Sequence, residues 1–135
     1  MMTGNKVILD TNIIIELFKK NENVRSIVAR IEMVCVPLIV LGELRLGAYR
    51  SKNPTAKEKE IEDFLSTSVL LLLNDRTTKI YAGTKAALLL KGRAIPENDI
   101  WIAAIALQQA LPFYTHDAHF REVDGLQLFN PLSSI

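Results

Sequence analysis

A chain of 135 residues, 49% of them hydrophobic, is long enough to bury one substantial core and too short for two, so a single domain over 1–135 is expected, built without disulfides or a structural metal. Its one cysteine, Cys35 in the apolar run MVCVP, cannot close an internal disulfide; this excludes a secreted disulfide framework, suits a reducing cytoplasm and leaves Cys35 as a buried core residue. Sixteen basic and 15 acidic side chains give a formal charge of +1, which excludes a strongly cationic nucleic-acid coat. MMTGNK offers no apolar leader before Asp10, and the run at 33–41 is broken by Pro37 and followed by Glu43, so no membrane span is expected.

Short apolar runs alternate with longer segments of helical period, the pattern of an α/β fold with a mostly parallel sheet and crossover helices. The first strand is KVIL at 6–9, and a helix at 11–20 follows directly with Ile14, Leu17 and Phe18 on one face. A helix at 24–31 leads to the strand MVCV, and Pro37 opens a helix to 49 carrying Leu38, Leu41, Leu44 and Ala48. Asn53 and Pro54 read as N-cap and first turn of a helix whose apolar residues of weight are Ile61, Phe64 and Leu65, so residues 45–65 form a projecting hairpin. The run VLLLL at 69–73 is expected as a fully buried strand, and a helix at 77–91 ends at Gly92. After the loop RAIPEN comes a helix at 99–110 with Ala103, Ala104 and Ala106 allowing close packing. PFYT at 112–115, a helical turn in DAHFREV and an edge strand LQLF at 126–129 complete a sheet of four to five strands.

The chemistry lies in four acids. Asp10 and Asp117 stand where a strand meets the following helix, at the carboxyl ends of the strands, where open parallel sheets place their ligands. Each is equally well placed to be a plain N-cap. Glu43 is mid-helix, and its neighbours one turn away are Ile39, Val40, Leu46 and Gly47, so it faces inward. Asp99 opens the stripe continued by Ile102, Ala103, Ala106 and Leu107, with an N-cap role open to it as well. An inward carboxylate without a partner costs several kcal/mol, so it is neutralised, paired with a base or bound to a metal. Four acids with no cysteine favour Mg²⁺ or Mn²⁺ over Zn²⁺, and with such ions the hydrolysis of phosphodiesters. A cation would acidify a water and offset charge at phosphorus, while an acid not fully engaged as a ligand, Asp117 or Glu43, would orient that water.

VILDTNIIIELF, PLIVLGELRLGA, PENDIWIAAIAL and FYTHDAHF resemble, in order and over nearly the whole chain, the four signature blocks of PIN-domain ribonucleases, and most nearly the VapC-type toxins of VapBC toxin–antitoxin pairs. The resemblance implies a PIN-like three-layer fold and an Mg²⁺- or Mn²⁺-dependent endoribonuclease. It makes Asp10, Glu43 and Asp99 metal-site acids and Asp117 a fourth, often reached through water. It implies supporting roles for Thr11, Asn12, Asn98 and Thr115, an RNA substrate, a small antitoxin whose tail fills the groove over the acids, and a homodimer. His116 departs from the pattern, where Asn is common.

The alternatives are a PIN nuclease of RNA processing rather than a toxin, and a catalytically idle PIN binding module. The pair His116 and His119 in HDAH admits a transition metal or metal-free acid–base chemistry, although polar filling is the simpler role. Asn12 stands where a haloacid-dehalogenase-like phosphatase needs its second aspartate, DTN lacks the acidic pair of a receiver domain, and no Walker A loop occurs. Arg45, Arg50, Lys91 and Arg93 are the nearest cations for RNA phosphates, each equally readable as a solvated surface charge. Arg45 points away from the Glu43 face. Tyr49 and Trp101 can stack on bases, with core packing the simpler role for Trp101.

Overall fold

The computed structural model describes residues 5–132, so the reading of the first four residues as free of an apolar leader lies outside the described residues. In chain order the elements are β1 (Lys6–Leu9), α1 (Thr11–Phe18), α2 (Glu22–Val28), β2 (Met33–Pro37), α3 (Leu38–Tyr49), α4 (Pro54–Leu65), β3 (Val69–Leu71), α5 (Asp75–Lys91), α6 (Glu97–Gln109), β4 (Phe113–Tyr114) and a closing 3₁₀ turn, Ala118–Glu122. The four strands form one parallel sheet in the order β3-β2-β1-β4, with Ile8 opposite Cys35 on one side and Phe113 on the other. All connections are crossovers, so every strand ends at the same rim.

β1 is central, and Val7, Ile8 and Leu9 are all buried, as a strand covered on both faces requires. α6 is the most deeply buried helix: Ile102, Ala103, Ala104, Ile105 and Ala106 are at most 1% exposed, and the three alanines let it pack closely. Below β4, the fully buried rings of Phe113 and Phe120 meet at 4.8 Å and pin the 3₁₀ turn to the core. Among the described residues, no helix is long and apolar enough to cross a membrane.

Side-chain caps decide several boundaries. Asn21 accepts from the Val24 amide and Asn74 from the Thr77 amide, so α2 and α5 each begin two residues earlier than periodicity alone suggests. α6 also begins two residues early, after Pro96, which puts Glu97 and Asp99 in a first turn where the helix dipole favours anions. Gly92, with φ of 68°, ends α5.

Two strand expectations are corrected. VLLLL is not a fully buried strand: β3 is three residues long at the sheet edge, with partners on β2 only, and Val69, Leu70 and Leu72 are exposed. LQLF contributes one parallel bridge, Phe113 to Leu128, because Phe113 donates to the Gln127 carbonyl and accepts from the Phe129 amide before the chain turns away.

The hairpin at 45–65 is α3 packed against α4. α4 buries one side chain, Ile61; Phe64 meets Phe18 edge-on at 5.7 Å, and Arg45 pairs with Glu58 and with Glu62, at 2.9 Å from the latter. With so small a share of the core, α4 is expected to open before the sheet does. Ile61→Ala should cost ~2–4 kcal/mol. Native-state hydrogen exchange should show that loss in the α4 amides well before those of β1; equal losses in both would make α4 part of the sheet's cooperative unit.

Candidate active site

The four acids arrive from four separate segments. β1 ends at Leu9, so Asp10 lies at the sheet rim. There its Oδ1 caps α1 by accepting from the Thr11 amide at 2.8 Å. The cap and the site are therefore one feature. Asp10 Oδ2 also accepts from the Thr115 hydroxyl at 2.7 Å and the Asn12 amide at 3.2 Å, and the residue is only 3% exposed. Glu43 comes from the second turn of α3; its Oε1 accepts from the Thr11 hydroxyl at 2.5 Å and its Oε2 from Asn98 at 3.3 Å. Asp99 lies in the first turn of α6 and Asp117 at the head of the 3₁₀ turn.

Asp117 is exposed and makes no cap bond; its Oδ2 accepts from Asn12 at 3.3 Å. Asn12 is thus a hub, since its amide reaches Asp10 and Asp117 while its Oδ1 accepts from the His116 backbone at 3.1 Å. Thr115 donates to Asp10 and accepts from the Asp117 amide at 3.0 Å, which ties the ends of β1 and β4 together. Asp10, Thr11, Asn12, Glu43, Asn98, Asp99 and Asp117 line one open cleft of about 660 Å³.

The burial of the acids differs from the expectation. Asp10 is the deepest, whereas Glu43 and Asp99 are half-buried, because Leu46 and Gly47 beside Glu43 are themselves exposed. That part of the α3 face looks onto the cleft instead of the core.

The sequence pairs His119 with His116, whereas the structure sets His119 against Asp99. Its Nε2 lies 2.7 Å from Asp99 Oδ2, and ligand atoms of Asp99, Asp117 and His119 all fall within 4.8 Å of one another. The available signal was Phe120, a core anchor that fixes its neighbour at the rim. His116 is exposed, with its ring against Tyr114.

The proposed phosphate contacts lie elsewhere. Arg45 is held by Glu58 and Glu62, Lys91 by the Glu122 carbonyl and Asp124, and Arg93 by Glu122 at 3.6 Å. Arg50 is exposed at the end of α3, and none of the four lines the cleft. Trp101 is half-buried and stacks on Tyr81 at 3.8 Å, while Tyr49 is exposed.

Among the described residues no lysine or arginine pairs with any of the four acids. The electrostatics record the deficit. Burial pushes Asp10 up to about 6, against the Thr115 and Thr11 hydrogen bonds that favour its charge, and the Asp99 and Glu43 charges push the same way as burial. Asp99 is also raised, by burial first, with His119 pulling it down and Glu43 and Asp117 pushing it up. Hard oxygen donors crowded without a lysine or arginine fit a divalent cation such as Mg²⁺ or Mn²⁺.

Residues 7–126 match the PIN domain family. The chain belongs to the PIN-domain family. This PIN domain is 36% identical to the ribonuclease VapC2 of Haemophilus influenzae, over 93% of the chain and 97% of that protein. It superposes on a chain of VapBC-1 from nontypeable Haemophilus influenzae with a TM-score of 0.85 at 28% identity, covering 95% of this chain and 99% of that one. A chain of VapBC-5 from Mycobacterium tuberculosis, a member of the VapBC family of toxin-antitoxin systems, gives 0.71 at 26% identity, covering 90% and 93%.

The raised Asp10 has a sign that can be checked. A folded-state value near 6 exceeds the model-peptide 3.8, so the folded PIN domain holds the proton more tightly and its stability falls as pH rises from about 4 to about 6, then levels off. In EDTA, the unfolding free energy of wild type relative to Asp10→Asn should therefore decline across that window by on the order of 1–3 kcal/mol. Urea titrations at pH 4 and pH 7 measure it, and a flat difference contradicts the burial of a charged Asp10.

Proposed function

We propose that this PIN domain is an Mg²⁺- or Mn²⁺-dependent endoribonuclease and the toxin of a two-component toxin–antitoxin pair, with Asp10, Glu43, Asp99 and Asp117 as its metal-site acids. The observation that carries the reading is the convergence of four carboxylates from distant segments in one cleft with no lysine or arginine partner among the described residues. The relatives' names, ribonuclease VapC2 and the VapBC complexes, supply the substrate class and the setting. When bound, a divalent cation would supply positive charge at the scissile phosphate and make a water acidic enough to attack it.

The chain's own residues have separable tasks. Asp10, buried and triply hydrogen-bonded, is the rigid ligand. Thr11 and Asn98 hold the two oxygens of Glu43, while Asn12 and Thr115 set the position of Asp117 relative to Asp10. Asp117 is solvent-facing and held by one side-chain bond, which suits it to accept a proton from the attacking water. Of the four basic residues weighed for RNA phosphates, Arg50 alone has no ion pair among the described residues.

A second recess of about 280 Å³ adjoins the acids between α1, α3 and α4, walled by Phe18, Leu44, Ala48 and Ile61 and sharing Ile15 and Glu43 with the cleft. It suits the apolar tail of an antitoxin, which would carry a cation toward the acids, with the α3–α4 hairpin as its clamp. A homodimer in the cytoplasm completes the reading, and exposed Leu89 and Leu90 on α5 offer apolar surface for it.

Purified protein incubated with total RNA should cleave it with Mg²⁺ or Mn²⁺ present and stop on addition of EDTA. Asp10→Asn and Asp99→Asn should each lower the rate by roughly 100-fold or more, as expected for the loss of a metal-site acid. Growth arrest on expression should disappear with the same substitutions. Full cleavage by both variants would remove these acids from the catalytic role, and growth arrest without RNA cleavage by the wild type would leave a binding module.

A further inference from the structure

Each of the four acids has a side-chain donor that fixes it, and for Asp99 that donor is the His119 imidazole. Asp10 is held by Thr11, Asn12 and Thr115, Glu43 by Thr11 and Asn98, and Asp117 by Asn12. Among the described residues, the Asp99 side chain has one partner, His119 Nε2 at 2.7 Å to Oδ2. We propose that His119 is a positioning residue of the site, holding Asp99 Oδ2 so that Oδ1 is presented to the divalent cation; the inference rests on the metal-site reading above.

Three observations support the assignment. An ionised carboxylate can only accept, so the short contact requires the hydrogen on Nε2 and defines the bond's direction. The imidazole is anchored from behind: its neighbour Phe120 is fully buried against Phe113, and the His119 and Phe120 rings lie 4.9 Å apart. Finally, the two residues belong to different elements. Asp99 sits in the first turn of α6 and His119 in the 3₁₀ turn headed by Asp117, so one short turn delivers an acid and the holder of another acid. This bond ties α6 to the β4 end of the rim, as Thr115 ties β1 to it.

Direct ligation is the competing geometry, since ligand atoms of Asp99, Asp117 and His119 lie within 4.8 Å of one another. It would spend Nε2 on the cation and release Asp99. A positioning bond needs a donor; a nitrogen ligand gives a spectroscopic mark.

His119→Gln keeps an N–H at similar reach, and His119→Met matches its length with no donor, so both disturb packing alike and differ in the hydrogen bond. Mn²⁺ binding to the full chain, measured by calorimetry and by electron paramagnetic resonance, should weaken by roughly 10–100-fold in His119→Met and return close to wild type in His119→Gln. Arg121→Ala, an exposed neighbour on the same turn, should bind as wild type does. Equal affinity in the Gln and Met variants overturns the proposal. So does a directly coordinated ¹⁴N signal in wild type that His119→Met removes. Asp99→Asn run alongside separates the two levels. If it too binds Mn²⁺ like wild type, the metal-site reading fails; if it alone weakens binding, that reading stands and the role of His119 falls.

Discussion

Four carboxylates kept within Coulombic reach of one another, with no lysine or arginine pairing with them among the described residues, is the constraint around which the fold is arranged. Burial penalises the charged form, and the neighbouring like charges add to the penalty, as the rise of Asp10 to about 6 records. Folding has to supply that energy from elsewhere. The supply is the α6–β1 core, where a run of side chains at most 1% exposed holds the sheet rim in place. Strain of this kind at a site is stable only when the surrounding packing over-determines it.

The groups that hold Asp10, Glu43 and Asp117 are neutral hydroxyls, amides and backbone N–H donors, with the His119 imidazole on Asp99. The choice matters physically. A guanidinium or ammonium would orient a carboxylate equally well but cancel its charge, lowering the affinity for a cation. Dipoles orient without cancelling. Thr11 and Asn12 each serve two acids, so three consecutive residues, DTN, organise most of the cleft. Asp10 caps α1 with one oxygen and joins the cluster with the other, so helix start and site geometry cannot be separated by mutation.

The sequence carried the elements and the identities of the acids because both are local signals: apolar runs, helical spacing, turn residues. What it carried poorly were properties set by distant segments. The depth of Asp10 depends on Thr115, 105 positions away, and spacing alone made Asp10 a rim residue. Glu43 faces the cleft, not the core, because apolar residues one turn away, Leu46 among them, are exposed there, and helical period cannot distinguish a core face from a cleft face. VLLLL reads as buried by composition, but its place at the sheet edge follows from strand order. Three of the four cations near the acids in sequence, Arg45, Lys91 and Arg93, are drawn off by Glu58, Glu62, Glu122 and Asp124, partners that proximity along the chain does not reveal.

The two recesses differ in the rigidity of their walls. The acid cleft is framed by strand ends and by α6, all rooted in the core, and its hydrogen bonds cross between elements far apart in sequence. The neighbouring apolar recess has α4 as its outer wall, which rests on Ile61, one aromatic contact and the Arg45 ion pairs, the last partly solvated and therefore weak. On the proposed reading, a rigid acid site would keep ligand geometry within the tolerance that a cation and an in-line displacement need. A loosely held wall lets an apolar segment wedge between α3 and α4 at little cost to the core. Because Glu43 and Ile15 line both recesses, an occupant of the second necessarily touches the edge of the first. On the proposed reading, occupancy of the groove and access to the acids would be coupled by these shared residues.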